Sequence, residues 1–251
     1  MNDKILSLLV GSGKGGVGKT TIATAIALYL AKKGYKVGFF DGDITCPNAH
    51  SLLGLKDIEI EVDKDGVYPV KFKPKLSNGE TMEVMSVAFL VTPEERDRMP
   101  IFWGGEKKSS SINQFITKVS WGDIQILVVD LPPGTSDELR TVLKILRKNS
   151  KGVLVTVPHP LSILDTRRLI EIYRRMEIDI IGLIENMFCF KCPHCGNVID
   201  LYPGGANKLC EKYNIEYLGS IPFNPKFNNS IYELLEDENF VEVAENILRR
   251  L

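Results

Sequence analysis

One stretch limits the possible folds more than any other: Ser12-Gly13-Lys14-Gly15-Gly16-Val17-Gly18-Lys19-Thr20-Thr21. Gly13, Gly18, Lys19 and Thr20 fill the four fixed positions of G-x-x-x-x-G-K-[ST]. An apolar run, Ile5 to Val10, precedes it, and a helical pattern follows with Ile22, Ile26, Tyr29 and Leu30 on one face. Strand, glycine-rich loop and helix together make an anion nest. The backbone N–H groups of Gly13, Gly15, Gly16, Val17 and Gly18 can curl inward, and Lys19, Thr20 and Thr21 open the positive end of the helix. Lys19 can then reach β- and γ-phosphates, and the Thr20 hydroxyl can sit on Mg²⁺. Lys14 is a second lysine in the loop that an ordinary phosphate site does not require.

The remaining strands supply carboxylates to the same end of the sheet. Val37 to Phe40 reads as a buried strand that ends in Asp41-Gly42-Asp43. Carboxylates at the carboxyl end of such a strand lie where ligands bind, and can orient an attacking water or hold Mg²⁺ through water. Ile124 to Val129 delivers Asp130, followed by Leu131-Pro132-Pro133-Gly134-Thr135. An apolar strand ending in aspartate is the Walker B arrangement, so Thr20, Asp43 and Asp130 are the expected Mg²⁺ site. Further strands are expected over Gly152 to Val157, Ile178 to Ile184 and Glu216 to Ile221. Between residues 55 and 90, three β-type runs predict a peripheral hairpin turning at Asp63-Lys64-Asp65-Gly66, plus one central strand. A helix is expected near 107–118 and an amphipathic tail helix over Phe240 to Leu251.

Composition narrows the class. Residues 1–251 with 44% hydrophobic content suit a single α/β domain. Lys and Arg number 31 against 32 Asp and Glu, which is no footprint for nucleic-acid binding. No apolar run is long enough to span a bilayer, and no secretory pattern opens the chain, so a cytoplasmic protein without a membrane partner is expected.

Three of five cysteines crowd into Cys189-Phe190-Lys191-Cys192-Pro193-His194-Cys195-Gly196. Two intervening residues, one a proline, and a following glycine let Cys192 and Cys195 aim at one ion or cluster. One chain gives only two such thiolates; two copies about a two-fold axis give four. Four thiolates suit a [4Fe–4S] cluster or Zn²⁺ equally.

Lys14 through Thr20 resembles the deviant Walker A loop of the ParA/MinD ATPases. Asp130-Leu131-Pro132-Pro133-Gly134-Thr135, Asn186-Met187 and the cysteine pair together resemble the Mrp/ApbC branch of that superfamily, the iron–sulfur cluster carriers. The resemblance runs from Gly11 to the C-terminal helix. It implies a P-loop α/β fold, a mainly parallel sheet with helices on both faces, and a cysteine-bearing insertion over about 187–202. It also implies a homodimeric Mg²⁺-dependent ATPase that bridges a [4Fe–4S] cluster on Cys192 and Cys195 and hands it to apo iron–sulfur proteins. Lys14 would reach across the dimer to the partner's ATP, Asn186 would read the adenine edge, and Pro222 would pack beside the base. Lys14, Lys19 and Asp43 would carry catalysis. Departures are Cys46 for a glycine and Asn48 for a serine in the first switch, and Trp103-Gly104-Gly105-Glu106 where the branch often has Trp-Arg-Gly-Pro. A positioning ATPase of the ParA/MinD kind is the alternative, but it would need a basic patch or a basic tail helix. A dimeric ATPase with structural zinc is the other.

Overall fold

The strand ahead of the glycine loop lies inside a sheet because both of its faces are apolar. Leu8 and Val10 enter one core and Leu9 enters the other. The same alternation divides Ile126 and Val128 from Leu127 and Val129, and Phe39 from Phe40. Strands buried on both sides need helices on both sides. The structure, a computed structural model, describes residues 4–43, 46–58, 60, 64, 66–75, 81–90, 92, 113, 116–192, 194–202 and 205–251.

In chain order the elements are β1 (Leu6–Ser12), α1 (Lys19–Lys32), β2 (Val37–Asp41), α2 (Ala49–Leu52), β3 (Val70–Phe72), β4 (Met82–Ser86) and β5 (Ile126–Asp130). Then follow α3 (Asp137–Leu146), β6 (Ser150–Thr156), α4 (Pro160–Arg175), β7 (Asp179–Lys191), β8 (Val198–Asp200), α5 (Asn207–Tyr213), β9 (Tyr217–Phe223), α6 (Ile231–Leu235) and α7 (Glu238–Leu248). They form one sheet in the order β3-β4-β2-β5-β1-β6-β7-β8, with β9 also on β7. Among the described residues only β3 on β4 and β8 on β7 pair antiparallel. One face is covered by α1, α6 and α7, the other by α3, α4 and α5. This is the α/β architecture that the sequence implies.

α1 departs from its expected one-sided pattern. Every residue from Ile22 to Ala31 is buried, because α6 and α7 close over the face that a surface helix would show to water. Ala23, Ala25, Ala27 and Ala31 keep the helix thin enough to lie against the sheet. Tyr29 meets Phe240 of α7 edge-on at 6.1 Å. The helix stops where Gly34, at φ 90°, donates to the Ala31 carbonyl at 3.0 Å.

Two strand expectations need correction. The hairpin pairs the second and third runs, β3 with β4, whereas Val67 makes a parallel bridge to Val119. Of the first run only Ile58 and Ile60 are described, and the Asp63–Gly66 turn, the helix near 107–118 and Trp103 lie wholly or largely outside the described residues. The strand expected to close at Ile184 continues as β7 to Lys191, because β8 folds back and pairs with Cys189, Phe190 and Lys191. The tail helix starts two residues early at Glu238, capped by the Asp237 carboxylate, which accepts from Asn239 and Phe240 N–H.

The glycine loop is seated on α4 by a close approach. A Cβ at Gly13 would fall 2.3 Å from the Asp165 carbonyl carbon and 2.4 Å from the Thr166 nitrogen. Both are backbone atoms of a helix, which do not swing aside. Gly13→Ala is therefore expected to cost about 1–3 kcal/mol of unfolding free energy, read as a lower urea midpoint at unchanged slope. An unchanged midpoint would show that the loop does not rest on α4.

Candidate functional site

Three strand ends converge at the carboxyl edge of the sheet. β1, β5 and β2 are neighbours, and their register sets Val10 beside Asp130 and Asp130 beside Asp41. Backbone bonds stitch the loops that leave them. Leu131 N–H donates to Val10 O at 3.0 Å, Gly134 N–H to Ser12 O at 3.0 Å, and Gly42 N–H to Asp130 O at 2.8 Å. The loops after β1, β2 and β5 thus behave as one layer.

Asp130 is the hub of that layer. It is fully buried, and Lys19, itself 6% exposed, places Nζ 2.5 Å from its Oδ1. The Thr20 hydroxyl donates to Oδ2 at 2.7 Å. A buried carboxylate without partners would be strongly unfavourable, and breaking such a pair costs about 3–5 kcal/mol. Gly18 at φ 83° opens α1 without a side-chain cap, so the first N–H groups of the helix face the loop. The same glycine admits Asn186: a Cβ there would lie 2.3 Å from Asn186 Nδ2. Asn186, buried, donates from Nδ2 to Val17 O at 2.9 Å.

Asn186 and Pro222 come together around a cavity of about 190 Å³, with Gly18, Thr21, Met187 and Phe227. Lys14 is not on Asp130. It flanks, with Gly15, Gly16 and Val17, a larger cavity of about 550 Å³ whose far wall is Met187, Phe190, Tyr202 and Phe223. His159 caps α4 by accepting the Leu161 N–H on Nδ1 at 3.1 Å, and its ring stands 5.0 Å from that of Tyr202.

Asp41 and Asp43 differ in setting. Asp41 is fully buried and accepts from Ala49 N–H at 3.2 Å and Ser86 Oγ at 3.3 Å. Burial, with the adjacent Asp130 charge, pushes its carboxyl up to about 8, against the pull of Lys19. Asp43 is only partly covered and accepts from Cys46 N–H at 3.2 Å. Burial raises its carboxyl too.

Cys192 and Cys195 stand at the tip of the β7–β8 hairpin, where Cys192 N–H bonds Asn197 O and Gly196 N–H bonds Cys192 O, each at 2.9 Å. Cys195 is exposed and Cys192 half-buried. The N–H groups of Cys195 and then His194 pull the Cys192 thiol below its ordinary range, which favours thiolate. Cys189 is buried on the strand, and burial pushes its thiol up, so it stands apart from the tip. Among the described residues no group of three or more His, Cys, Asp or Glu could hold a metal within one chain.

Glu185 escaped the sequence reading. Nearly buried beside Asn186, it accepts Ala206 N–H at 2.9 Å on Oε1 and the Tyr217 hydroxyl at 3.0 Å on Oε2. Its partners lie far along the chain, and the only local signal is a carboxylate inside an apolar strand. Ser86, which supports Asp41, carries a similar faint signal at the end of β4.

Residues 5–246 match the family profile described as ParA, NUBPL iron-transfer P-loop NTPase. The chain is 38% identical to the cytosolic Fe-S cluster assembly factor CFD1 of Kluyveromyces lactis, over 96% of this chain and 89% of that one. It is 36% identical to the iron-sulfur cluster carrier protein of Methanococcus maripaludis, over 97% and 84%. Its backbone resembles the nucleotide-binding protein of Archaeoglobus fulgidus in complex with ADP, with TM-score 0.78, 32% identity, and coverage of 96% and 92%. It also resembles MinD of Pyrococcus horikoshii, with TM-score 0.66 at 19% identity and coverage of 97% and 96%, a likeness of fold.

The Asp41 setting has a measurable consequence. Folded Asp41 keeps its proton up to about pH 8, whereas an ordinary aspartate releases it near 3.8. Between those values the folded state holds the extra proton, so this group's contribution to stability falls as pH rises from about 4 to about 8, then levels. Asp41→Asn stays neutral throughout, so in the nucleotide-free protein its unfolding free energy should gain steadily on wild type across that window. Parallel pH curves would show an ordinary Asp41.

Proposed function

The chain belongs to the ParA family of NUBPL iron-transfer P-loop NTPases, and from that premise we propose that it is a cytosolic Mg²⁺-dependent ATPase. As a homodimer it carries a [4Fe–4S] cluster to apo iron–sulfur proteins. The observation that carries the reading is β7, one strand that holds Asn186 beside the phosphate loop and continues to the Cys192–Cys195 tip.

ATP lies with its phosphates in the nest of Gly13 to Thr21 and its base in the cavity of Asn186 and Pro222. A carboxamide donates to and accepts from adenine's edge. Lys19 exchanges its Asp130 carboxylate for β- and γ-phosphate oxygens. Asp130 and Thr20, freed of the lysine, are hard oxygen donors converging on one point, and with Asp43 acting through water they would hold Mg²⁺. The metal, when bound, neutralises phosphate charge. Asp43, its carboxyl raised by burial, orients the attacking water, whose oxygen bonds the γ-phosphorus as the bridging oxygen leaves on ADP.

Lys14 stands apart from the Lys19–Asp130 pair, on the cavity walled by Met187, Phe190, Tyr202 and Phe223, which supports a role on the other subunit's nucleotide. The hairpin supports the same dimer. Its exposed apolar side chains, Val198, Ile199, Leu201 and Tyr202, follow in the chain a pair of thiols that fills half a tetrahedral set. The cluster is cargo, held by Cys192 and Cys195 of both copies, and hydrolysis loosens the interface that encloses it.

Anaerobic purification should give about two irons and two sulfides per chain, that is, one [4Fe–4S] per dimer. Cys192→Ser should lose them while keeping ATP turnover. Zinc without sulfide would instead identify a structural metal. Lys19→Ala should lower ATP turnover by about a hundredfold or more; cluster transfer to an apo-protein at the wild-type rate in that variant would dismiss the coupling.

A further inference from the structure

A groove separate from both the nucleotide cavity and the cysteine tip runs between α4 and α5. It encloses about 460 Å³. Its floor is apolar, made by Ile163, Leu164 and Leu209, and its rim is Arg167, Lys208 and Lys212. No carboxylate lines it. The three cations are exposed, and none makes a side-chain ion pair with a described residue. Asp165 on α4 is engaged by Arg168 at 2.8 Å. Leu164 is 42% exposed, and Leu161, one turn earlier, 60%. α4 buries Ser162, Thr166, Leu169 and Tyr173 against the sheet, so these leucines stand on the face the fold leaves uncovered.

The groove starts where the cysteine hairpin re-enters the body. Gly205 lines it, Pro158 and Pro160 form its upper wall, and His159 between them meets Tyr202 of the hairpin's return. A chain seated here lies along the flank of the cluster-bearing element.

We propose that this groove docks an acidic, leucine-bearing segment of the protein that receives the cluster. The identity of the partner rests on the carrier reading; the chemistry of the groove does not. Unpaired cations around an apolar floor complement a helix or strand that alternates carboxylates with large apolar side chains, and such complementarity sets encounter rate and orientation more than raw affinity. Steering an acidic recipient to this flank brings its empty thiolates to the exposed tip without engaging the nucleotide cavity.

The test has two arms on the full chain. In the first, a fluorescent peptide with Glu and Leu at i, i+4 spacing is titrated with cluster-free protein and followed by anisotropy. Wild type should bind it saturably, more weakly as salt rises. R167E/K208E/K212E should weaken binding about tenfold or more, since it replaces three attractions by three repulsions. Leu164→Ser, with no charge altered, should weaken it about fivefold by removing apolar contact. In the second arm, loaded protein donates to an acidic apo-ferredoxin. The charge reversal should slow transfer by a similar factor while ATP turnover and cluster content stay at wild-type values. Peptide binding and transfer unaffected by charge reversal overturn the proposal. So does a loss, in the variant, of self-association or of binding to phosphatidylserine vesicles with peptide binding intact. If the wild-type chain holds no cluster, the carrier reading falls, and the peptide arm still decides the groove.

Discussion

The contact on which the site depends is the buried pair of Lys19 with Asp130. A lysine ammonium and a carboxylate, both shut away from water, must each have a partner. They serve each other, and the Thr20 hydroxyl donates to the second carboxylate oxygen. In the proposed site a triphosphate would bring anionic oxygens for Lys19 and a divalent cation positive charge for Asp130, so the two ligands would relieve the pair together.

The same balance explains why Asp41 is kept apart from the chemistry. Two carboxylates sit side by side at the ends of adjacent strands, and Lys19 pairs with Asp130. Burial and the Asp130 charge raise the Asp41 carboxyl, which accepts from Ala49 N–H and Ser86 Oγ. Asp41 thereby fixes the turn into Asp43 and the start of α2 without adding a second negative charge to the phosphate site. Asp43 is less enclosed and accepts from Cys46 N–H.

Much of this was legible because its signals are local. The loop from Gly13 to Thr21, the aspartate closing β5 and the C-x-x-C each write their chemistry within a few residues, and the alternating strands declare a sheet covered on both faces. What was not legible depends on partners distant in the chain. The Lys19–Asp130 bond joins positions 111 residues apart, and Glu185 reaches Tyr217 across 32. β7 was expected to end at Ile184 because its sequence turns polar at Glu185-Asn186. It continues because each polar side chain finds a buried partner: Glu185 on Ala206 and Tyr217, Asn186 on Val17. Beyond them, β8 supplies the ladder. Met187, at φ 55°, marks the bend that the polar residues announced.

That bend gives β7 its place in the molecule. Before it, the strand is locked between β6 and β9, and its Asn186 holds the phosphate loop. After it, the strand carries only the short β8 and a few contacts with β9, and ends at exposed thiols. The strand is thus firmly held on the Asn186 side of Met187 and lightly held on the cysteine side. Met187 itself lines both the cavity beside Asn186 and the one beside Lys14.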